Sequence, residues 1–127
     1  MYTIKMTKEF GRGLYATRAI YANEIVEVAE ILVLSQEDTI KVNETDLKWY
    51  TFVYDKAAGQ DCLVLGNGEI FNHSNTPNVK FSLVQYGSRL KMVFTSTKDI
   101  PEGEQLFIDY ESDTQVDSTQ YVGKNLI

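Results

Sequence analysis

The segment from Ile70 to Asn78, Ile-Phe-Asn-His-Ser-Asn-Thr-Pro-Asn, constrains the fold of this chain more than any other. Its first two residues, Ile70 and Phe71, are large and apolar and therefore favour burial. Asn72 and His73 follow at once, so the same burial draws their polar side chains to the edge of the core. Polar groups at such an edge cost free energy unless they are hydrogen-bonded. The segment therefore either braces a turn or holds a ligand.

The end of this segment predicts a tight turn. Asn tolerates the left-handed backbone region and Pro stops a helix, so Asn75-Thr76-Pro77-Asn78 favours a turn. Taken alone, these residues indicate an Asn-based turn with a buried, hydrogen-bonded His73. The rest of the chain favours a ligand site.

Composition limits the class of protein. A length of 127 residues suits one domain, and a hydrophobic content of 43% is enough for a core. The sequence contains no apolar run long enough to span a membrane, and residues 1–9 lack the apolar centre of a signal peptide. The single cysteine, Cys62, excludes an internal disulfide and a cysteine-based zinc cluster, so we expect no metal and an intracellular setting.

The net charge is −6, from 18 acidic and 12 basic residues. Such a surface repels the phosphates of nucleic acid and attracts cationic partners, such as a Lys- or Arg-rich peptide. Ordinary solubility is the alternative interpretation, because it also requires a net charge of this size.

Short strands separated by turns dominate the pattern and predict a mainly β fold with little helix. We predict strands at Tyr2 to Met6, Leu14 to Ala16, Glu24 to Leu34, Cys62 to Leu65, Val79 to Tyr86, Leu90 to Thr95 and Gln105 to Tyr110. Gly87-Ser88 predicts a hairpin turn. The one predicted helix covers Asp46 to Asp55, with Thr45 or Asp46 as its N-cap.

Two segments repeat one pattern. Residues 17–25 and 97–105 each contain a basic residue, an apolar anchor, a turn, an acidic residue and the start of a strand. Asn23 and Gly103 occupy the same place, and these residue types best tolerate a positive φ. We therefore predict two similar turns that feed two strands.

Two further motifs carry little information alone. Gly11-Arg12-Gly13 allows a backbone to approach a ligand closely, but it lacks the further residues of a dinucleotide or phosphate loop. Tyr110 ends the last predicted strand, where tyrosine usually packs its ring and leaves its hydroxyl in water.

In this order and spacing, the three segments together resemble the SET domain, the fold of a large class of protein-lysine methyltransferases. That family opens with Gly-x-Gly before a hydrophobic-aromatic-Ala strand, as in residues 11–16 here. Its central signature is an aromatic or apolar pair, then Asn-His-Ser and x-x-Pro-Asn, as in residues 71–78. It closes with Gly-Glu, an alternating strand and a tyrosine, as in residues 103–110. The likeness is greatest to the compact viral and bacterial members.

The resemblance implies a fold of small curled β-sheets, in which the Asn-His segment and the terminal Tyr segment cross in a pseudoknot. It implies S-adenosyl-L-methionine as the cofactor, in a cleft on one face. Asn72 would bind the amino-acid end of that cofactor. His73 would hold the adenine end, mainly through its backbone, while its side chain braces the crossing. The remaining cofactor contacts, chiefly through the backbone, would come from Gly11, Arg12, Gly13 and Leu14.

The resemblance also implies a narrow channel through which the target lysine enters from the other face. Tyr110 would place its hydroxyl near the transferred methyl group and the lysine nitrogen. Tyr50 is the candidate for a second catalytic tyrosine, with Tyr54 as the fallback. Phe81 and Ile108 would line the channel, although ordinary core packing explains these two, and Tyr50, equally well.

Departures from the family pattern bear on the channel. Asn75 stands where the family often has a cysteine that joins a zinc-binding post-SET segment, and no cysteine follows Tyr110 in this sequence, so we expect no zinc. We expect a single SET domain over residues 1–127, with 111–127 as a C-terminal tail. That tail, through Tyr121, or a second subunit of a homodimer would close the channel.

The resulting hypothesis is an enzyme that methylates lysine in a basic protein. Histone tails suit the acidic surface and would place the protein in the nucleus, whereas another substrate would place it in the cytoplasm. The alternative is a catalytically silent SET-fold module that binds protein. Tyr110 favours the enzyme, because a mere binder has no need of it. No nucleic-acid or membrane partner is expected.

Overall fold

The computed structural model describes residues 1–9 and 11–112, together with the backbone of a strand at Gln115–Val122. The fold is mainly β, as predicted. Its described strands are β1 Tyr2–Thr7, β2 Gly11–Ala16, β3 Ile25–Ala29, β4 Ile31–Val33, β5 Thr51–Asp55, β6 Gln60–Val64, β7 Asn72–His73, β8 Val79–Tyr86, β9 Arg89–Ser96, β10 Gln105–Ile108 and β11 Gln115–Val122. The described residues also form one α-helix, α1, at Gln36–Val42, and two 3₁₀-helices at Asp46–Tyr50 and Gly66–Glu69.

The strands form three small sheets, with the orders β1-β2-β10-β7, β11-β8-β9-β3 and β4-β6-β5. The first sheet joins the three segments on which the family resemblance depends. Within it β10 runs antiparallel to β2 and parallel to β7. The central Asn-His pair therefore lies beside the closing strand, with Phe107 opposite Asn72 and Ile108 opposite His73.

The core lies between the sheets and is centred on stacked aromatic rings. Phe71 and Phe94 are fully buried and stack with centroids 4.5 Å apart. Phe52 meets Phe81 edge to face at 5.0 Å. The prediction that the apolar pair draws Asn72 to the core edge is confirmed, because Phe71 is 1% exposed and Asn72 8%.

The two predicted similar turns are confirmed as an approximate two-fold arrangement. Asn23 and Gly103 have φ values of 70° and 90°. Ile20 and Ile100 exchange backbone hydrogen bonds of 2.8 and 2.7 Å across the approximate axis. The flanking hydrogen bonds also correspond. The Ala16 N–H donates to the Glu104 carbonyl, just as the Ser96 N–H donates to the Glu24 carbonyl. The duplicated pattern thus makes the ends of β2 and β9 equivalent.

The helix predicted over Asp46 to Asp55 is wrong in its second half. The Thr45 side chain caps a short 3₁₀-helix that ends at Tyr50, and β5 follows immediately. The β-branched and aromatic residues of Thr51-Phe52-Val53-Tyr54 pair with β6 instead of continuing the helix. The strand predicted over Glu24 to Leu34 is two strands, β3 and β4, that join different sheets.

Helix α1 was not predicted. Its N-cap is Ser35, which accepts a hydrogen bond from the Asp38 backbone N–H. Its only buried residue is Thr39, and Ile40 is exposed. The helix therefore lacks the apolar stripe from which a helix is recognised in a sequence.

The predicted tail contains a strand, because the backbone of β11 pairs in parallel with β8. In that pairing residue 121 lies opposite Gln85. The side chains of residues 113–127, including that of Tyr121, lie outside the described residues, so the role of Tyr121 stays a prediction. No described helix combines the length and apolar character needed to cross a membrane.

Candidate active site

The parallel pairing of β7 with β10 is extended by Ser74 and Asn78 of the central motif. The Ser74 backbone N–H donates to the carbonyl of Ile108 at 2.9 Å. Asn78 uses both ends of its amide, donating from Nδ2 to the Gln105 carbonyl at 2.9 Å and accepting from the Phe107 N–H at 2.8 Å. A side chain thereby pairs with β10 as a neighbouring strand would.

Asn72 reaches from β7 across β10 to β2. Its Nδ2 donates to the backbone carbonyl of Arg12 and to the side-chain oxygen of Gln105, both at 2.8 Å. These two bonds use both amide hydrogens. Its Oδ1 has no hydrogen-bond partner among the described residues, so this oxygen remains available to accept.

His73 links β7 to the segment after β10 through its ring. Its Nδ1 lies 2.9 Å from the backbone N–H of Tyr110, which can only donate. The ring proton therefore lies on Nε2, from which it donates to Asn75 Oδ1 at 3.0 Å. The Asp109 carboxylate lies 3.7 Å from Nδ1. The ring thus holds the backbone of Tyr110 and the turn at Asn75 in one arrangement.

Tyr110 follows β10, and its side chain turns back over β7. Its hydroxyl donates to the Phe71 carbonyl at 2.6 Å. Burial of this hydroxyl, with a smaller contribution from the neighbouring Tyr50, raises the pKa of Tyr110 above its ordinary value. The residue as a whole is 55% exposed, although its hydroxyl is held by the Phe71 carbonyl. A tyrosine hydroxyl is protonated at neutral pH, and the raised pKa of Tyr110 extends this to more alkaline pH.

A pocket of about 450 Å³ opens at this hydroxyl. Its wall is mostly aromatic and apolar, with two acidic side chains and one basic side chain. The lining residues are Lys48, Trp49, Tyr50, Thr51, Phe52, Val53, Gly68, Glu69, Phe71, His73, Phe81, Ile108, Tyr110, Glu111 and Ser112.

The pocket brings together five of the residues singled out in the sequence. These are Tyr50, His73, Phe81, Ile108 and Tyr110. Their order along the chain gives no hint of this proximity, since they come from a 3₁₀-helix, three different strands and the turn after β10. They share one cavity because β7 and β10 run side by side.

The other predicted site residues with described side chains are not among those that line this pocket. Tyr54 is not among its lining residues and packs against the hydrophobic core. Leu14 is fully buried between Ile4 of β1 and Leu106 of β10. Gly11 has a φ of +73° and open space where a side chain would begin. Gly11, Arg12 and Gly13 begin β2, on the side of the first sheet where Asn72 reaches the Arg12 carbonyl.

Sequence reasoning missed several pocket residues. Lys48 and Trp49 were assigned only to a helix, yet they stand at the rim, and Trp49 is 74% exposed. Glu69 directly precedes the apolar pair, so burial of that pair also draws its carboxyl group inward. Burial raises the pKa of Glu69, although nearby Arg12 opposes this. The position of Glu69 beside Ile70 was the available signal.

Residues 11–111 match the SET domain family. The chain belongs to this family of protein-lysine methyltransferases. It is 31% identical over 108 residues to a Schizosaccharomyces pombe histone-lysine N-methyltransferase specific for H3 lysine-37, covering 84% of this chain and 71% of that protein. It is 29% identical over 113 residues to a Yarrowia lipolytica enzyme specific for H3 lysine-36, covering 84% of this chain but only 15% of that protein.

Solved structures have the same fold. A crystal structure of a proposed Plasmodium falciparum histone methyltransferase superposes with a TM-score of 0.70 at 23% identity, covering 88% of this chain and 98% of that chain. Chaetomium thermophilum Polycomb Repressive Complex 2 bound to GSK126 gives a TM-score of 0.73 at 20% identity, over 87% of this chain and 16% of that chain. At such identities the likeness establishes the fold alone.

Proposed function

We propose that this chain transfers a methyl group from S-adenosyl-L-methionine to the side-chain amine of a lysine in a basic protein, with a histone as the favoured substrate. One observation carries the proposal: the Tyr110 hydroxyl and the Phe71 carbonyl to which it donates meet at a single, largely aromatic pocket. Membership of the SET family supports methyl transfer, and the names of the two relatives support lysine as the acceptor.

The residues around Asn72 fit the amino-acid end of the cofactor. Asn72 Oδ1 lacks a partner among the described residues, and its amide is held with this oxygen turned away from the Arg12 carbonyl. Such an acceptor suits an ammonium group. Open space beside Gly11 lets a ligand approach the backbone there.

When bound, S-adenosyl-L-methionine supplies an electrophilic methyl group on a positively charged sulfur. In this proposal Asn72 and His73 hold it, together with the backbone of Gly11, Arg12, Gly13 and Leu14.

The chain's own task is to desolvate and orient the lysine amine. A free lysine has a pKa of about 10.4 and is almost entirely charged at neutral pH. An apolar wall that includes Phe81 and Ile108 excludes water and so favours the neutral amine. Because Tyr110 donates its proton to the Phe71 carbonyl, its oxygen keeps lone pairs that accept from the amine N–H. Good alignment of two reactants contributes about 7–11 kcal/mol.

Charge around the pocket supports a cationic substrate. Glu69 and Glu111 line the pocket against a single basic side chain, Lys48. The chain as a whole carries a net charge of −6. Long-range attraction of this kind increases the encounter rate with a basic tail. A histone substrate would place the protein in the nucleus.

The segment after Tyr110 is proposed to complete the lysine channel within a single domain over residues 1–127. Glu111 and Ser112 already line the pocket, and β11 then runs beside β8, the strand that carries Phe81. Tyr121 would contribute to this wall in the same subunit, or across the interface of a homodimer.

Two measurements test the proposal. Calorimetric titration should show binding of S-adenosyl-L-methionine, and mass spectrometry should show methylated lysine in recombinant histones incubated with enzyme and cofactor. Binding without any methylated product on histones or other basic proteins would favour the silent interaction module. Absence of cofactor binding would refute the enzyme.

A further inference from the structure

A chain of side-chain hydrogen bonds connects β2, β10 and β7 behind Asn72. Gln105 lies directly opposite Tyr15 on the neighbouring strand. Its Nε2 donates to the Tyr15 hydroxyl at 3.1 Å, and its Oε1 accepts from Asn72 Nδ2 at 2.8 Å. The Arg12 carbonyl accepts the second hydrogen of that Nδ2 at 2.8 Å.

These contacts fix which way the Asn72 amide points. The oxygen and nitrogen of an amide have nearly the same shape, so a half turn of the side chain would exchange them. The Arg12 carbonyl can only accept, so the exchange would set Oδ1 against it. Gln105 adds a second acceptor on the nitrogen side and thereby opposes the same exchange.

The surrounding backbone is shaped to hold Gln105 in place. A Cβ atom on Gly13 would lie 2.5 Å from Gln105 Oε1 and 2.9 Å from Asn72 Nδ2, so Gly13 leaves the room that this pair of amides occupies. The Gln105 carbonyl accepts from Asn78 Nδ2 at 2.9 Å. Backbone and side chain of Gln105 are thus both held.

We infer that Gln105 is a positioning residue, which aims Asn72 Oδ1 at the ammonium group of the cofactor. This inference rests on the proposed function, because only a ligand with an ammonium group makes the orientation matter. Gln105 itself bonds to Tyr15 and Asn72 through its side chain and acts on the ligand through Asn72.

The test compares two ligands that differ in one part. S-adenosylhomocysteine carries the amino-acid end, whereas methylthioadenosine has the same nucleoside and thioether without it. Calorimetry should show that Gln105→Met lowers the affinity for S-adenosylhomocysteine about 3- to 10-fold, the loss expected for one hydrogen bond. Binding of methylthioadenosine should stay at the wild-type value. Gln105→Glu keeps an oxygen facing Asn72 and should bind S-adenosylhomocysteine as the wild type does.

A double mutant separates positioning from general packing. In an Asn72→Ala background, Gln105→Met should not lower the affinity for S-adenosylhomocysteine any further, because the group that Gln105 orients is gone. Thermal unfolding of each variant shows that it is folded at the titration temperature. Gln105→Ala, which also removes the acceptor facing Asn72, carries the test if Gln105→Met is not folded.

Several results would overturn the inference. These are an equal loss for both ligands, an unchanged affinity in Gln105→Met, or a loss in Gln105→Glu as large as in Asn72→Ala. A wild-type chain that binds neither ligand would refute the proposed function, and the inference with it. A wild-type chain that binds S-adenosylhomocysteine, with Gln105→Met unchanged, would refute the inference alone.

Discussion

Replacing Tyr110 by phenylalanine removes one hydroxyl and keeps the ring. Among the described residues that hydroxyl makes one hydrogen bond, to the Phe71 carbonyl at 2.6 Å. The carbonyl lies at the pocket, where water can replace the lost donor. We therefore expect the free energy of unfolding to fall by only about 0.5–1.5 kcal/mol, the net value of an ordinary hydrogen bond.

The effect on turnover should be much larger. In the proposed mechanism the Tyr110 oxygen, held by its bond to the Phe71 carbonyl, accepts from the lysine amine. Loss of one preorganised polar contact commonly lowers kcat about 10²-fold or more. That factor corresponds to about 2.7 kcal/mol of transition-state stabilisation. Cofactor affinity should stay near wild type, because Asn72 and His73 are unchanged.

Single-turnover methylation measures the rate of the chemical step, cofactor titration measures the affinity, and thermal unfolding measures the change in stability. Tyr54→Phe is a matched control, since Tyr54 lies outside the pocket lining and its hydroxyl has no hydrogen-bond partner among the described residues. It should leave kcat unchanged. Equal turnover in wild type and Tyr110→Phe, or an equal loss in Tyr54→Phe, would refute the assignment of Tyr110.

Four further outcomes are expected. Asn72→Ala should weaken cofactor binding and lower the free energy of unfolding by about 1–3 kcal/mol, because two acceptors lose their donor; unaltered affinity by titration would contradict this. Glu69→Gln should raise Tm at neutral pH and leave it unchanged in acid. The reason is that burial raises the folded-state pKa of Glu69, so its charged form destabilises the fold only above the ordinary carboxyl range; an equal rise at both pH values would exclude the charge. Turnover should increase from about pH 7 to about pH 9 as lysine deprotonates, since the raised pKa of Tyr110 keeps its hydroxyl protonated; a flat profile with rate-limiting chemistry would indicate a base within the pocket. Deletion of Gln120 to Ile127 should reduce methylation or dissociate a dimer while sparing the fold, and a fully active monomer by light scattering would show that the core closes its own channel.

The elements that could be predicted from sequence are those with a strong local signal. The β8–β9 hairpin has two long runs of apolar and β-branched residues around Gly87-Ser88, and the structure pairs Tyr86 with Arg89 across that turn. The positive φ values at Asn23 and Gly103 were predictable because Asn and Gly tolerate this backbone conformation best.

The elements that could not be predicted lack such a signal. Helix α1 exposes Ile40 and buries only Thr39, so its sequence does not show the regular spacing of apolar residues that indicates a helix. The change from 3₁₀-helix to strand between Tyr50 and Thr51 depends on pairing with β6, which is a tertiary contact.

The candidate site divides in the same way. The central motif gave Asn72 and His73, and the closing motif gave Tyr110, through a family resemblance, and their contacts follow from the pairing of β7 with β10. Gln105 and Tyr15 are 90 positions apart and meet only because β10 lies beside β2. Local sequence cannot reveal such a partner.

The most direct test of lysine methyl transfer uses the purified chain, labelled S-adenosyl-L-methionine and recombinant histone H3, analysed by peptide mass spectrometry. With wild-type enzyme we expect label on the side-chain nitrogen of a lysine, and a much smaller amount with Tyr110→Phe. Lysine methyl transfer would be contradicted if the cofactor binds in the same samples while no lysine in histone or in other basic proteins gains a methyl group.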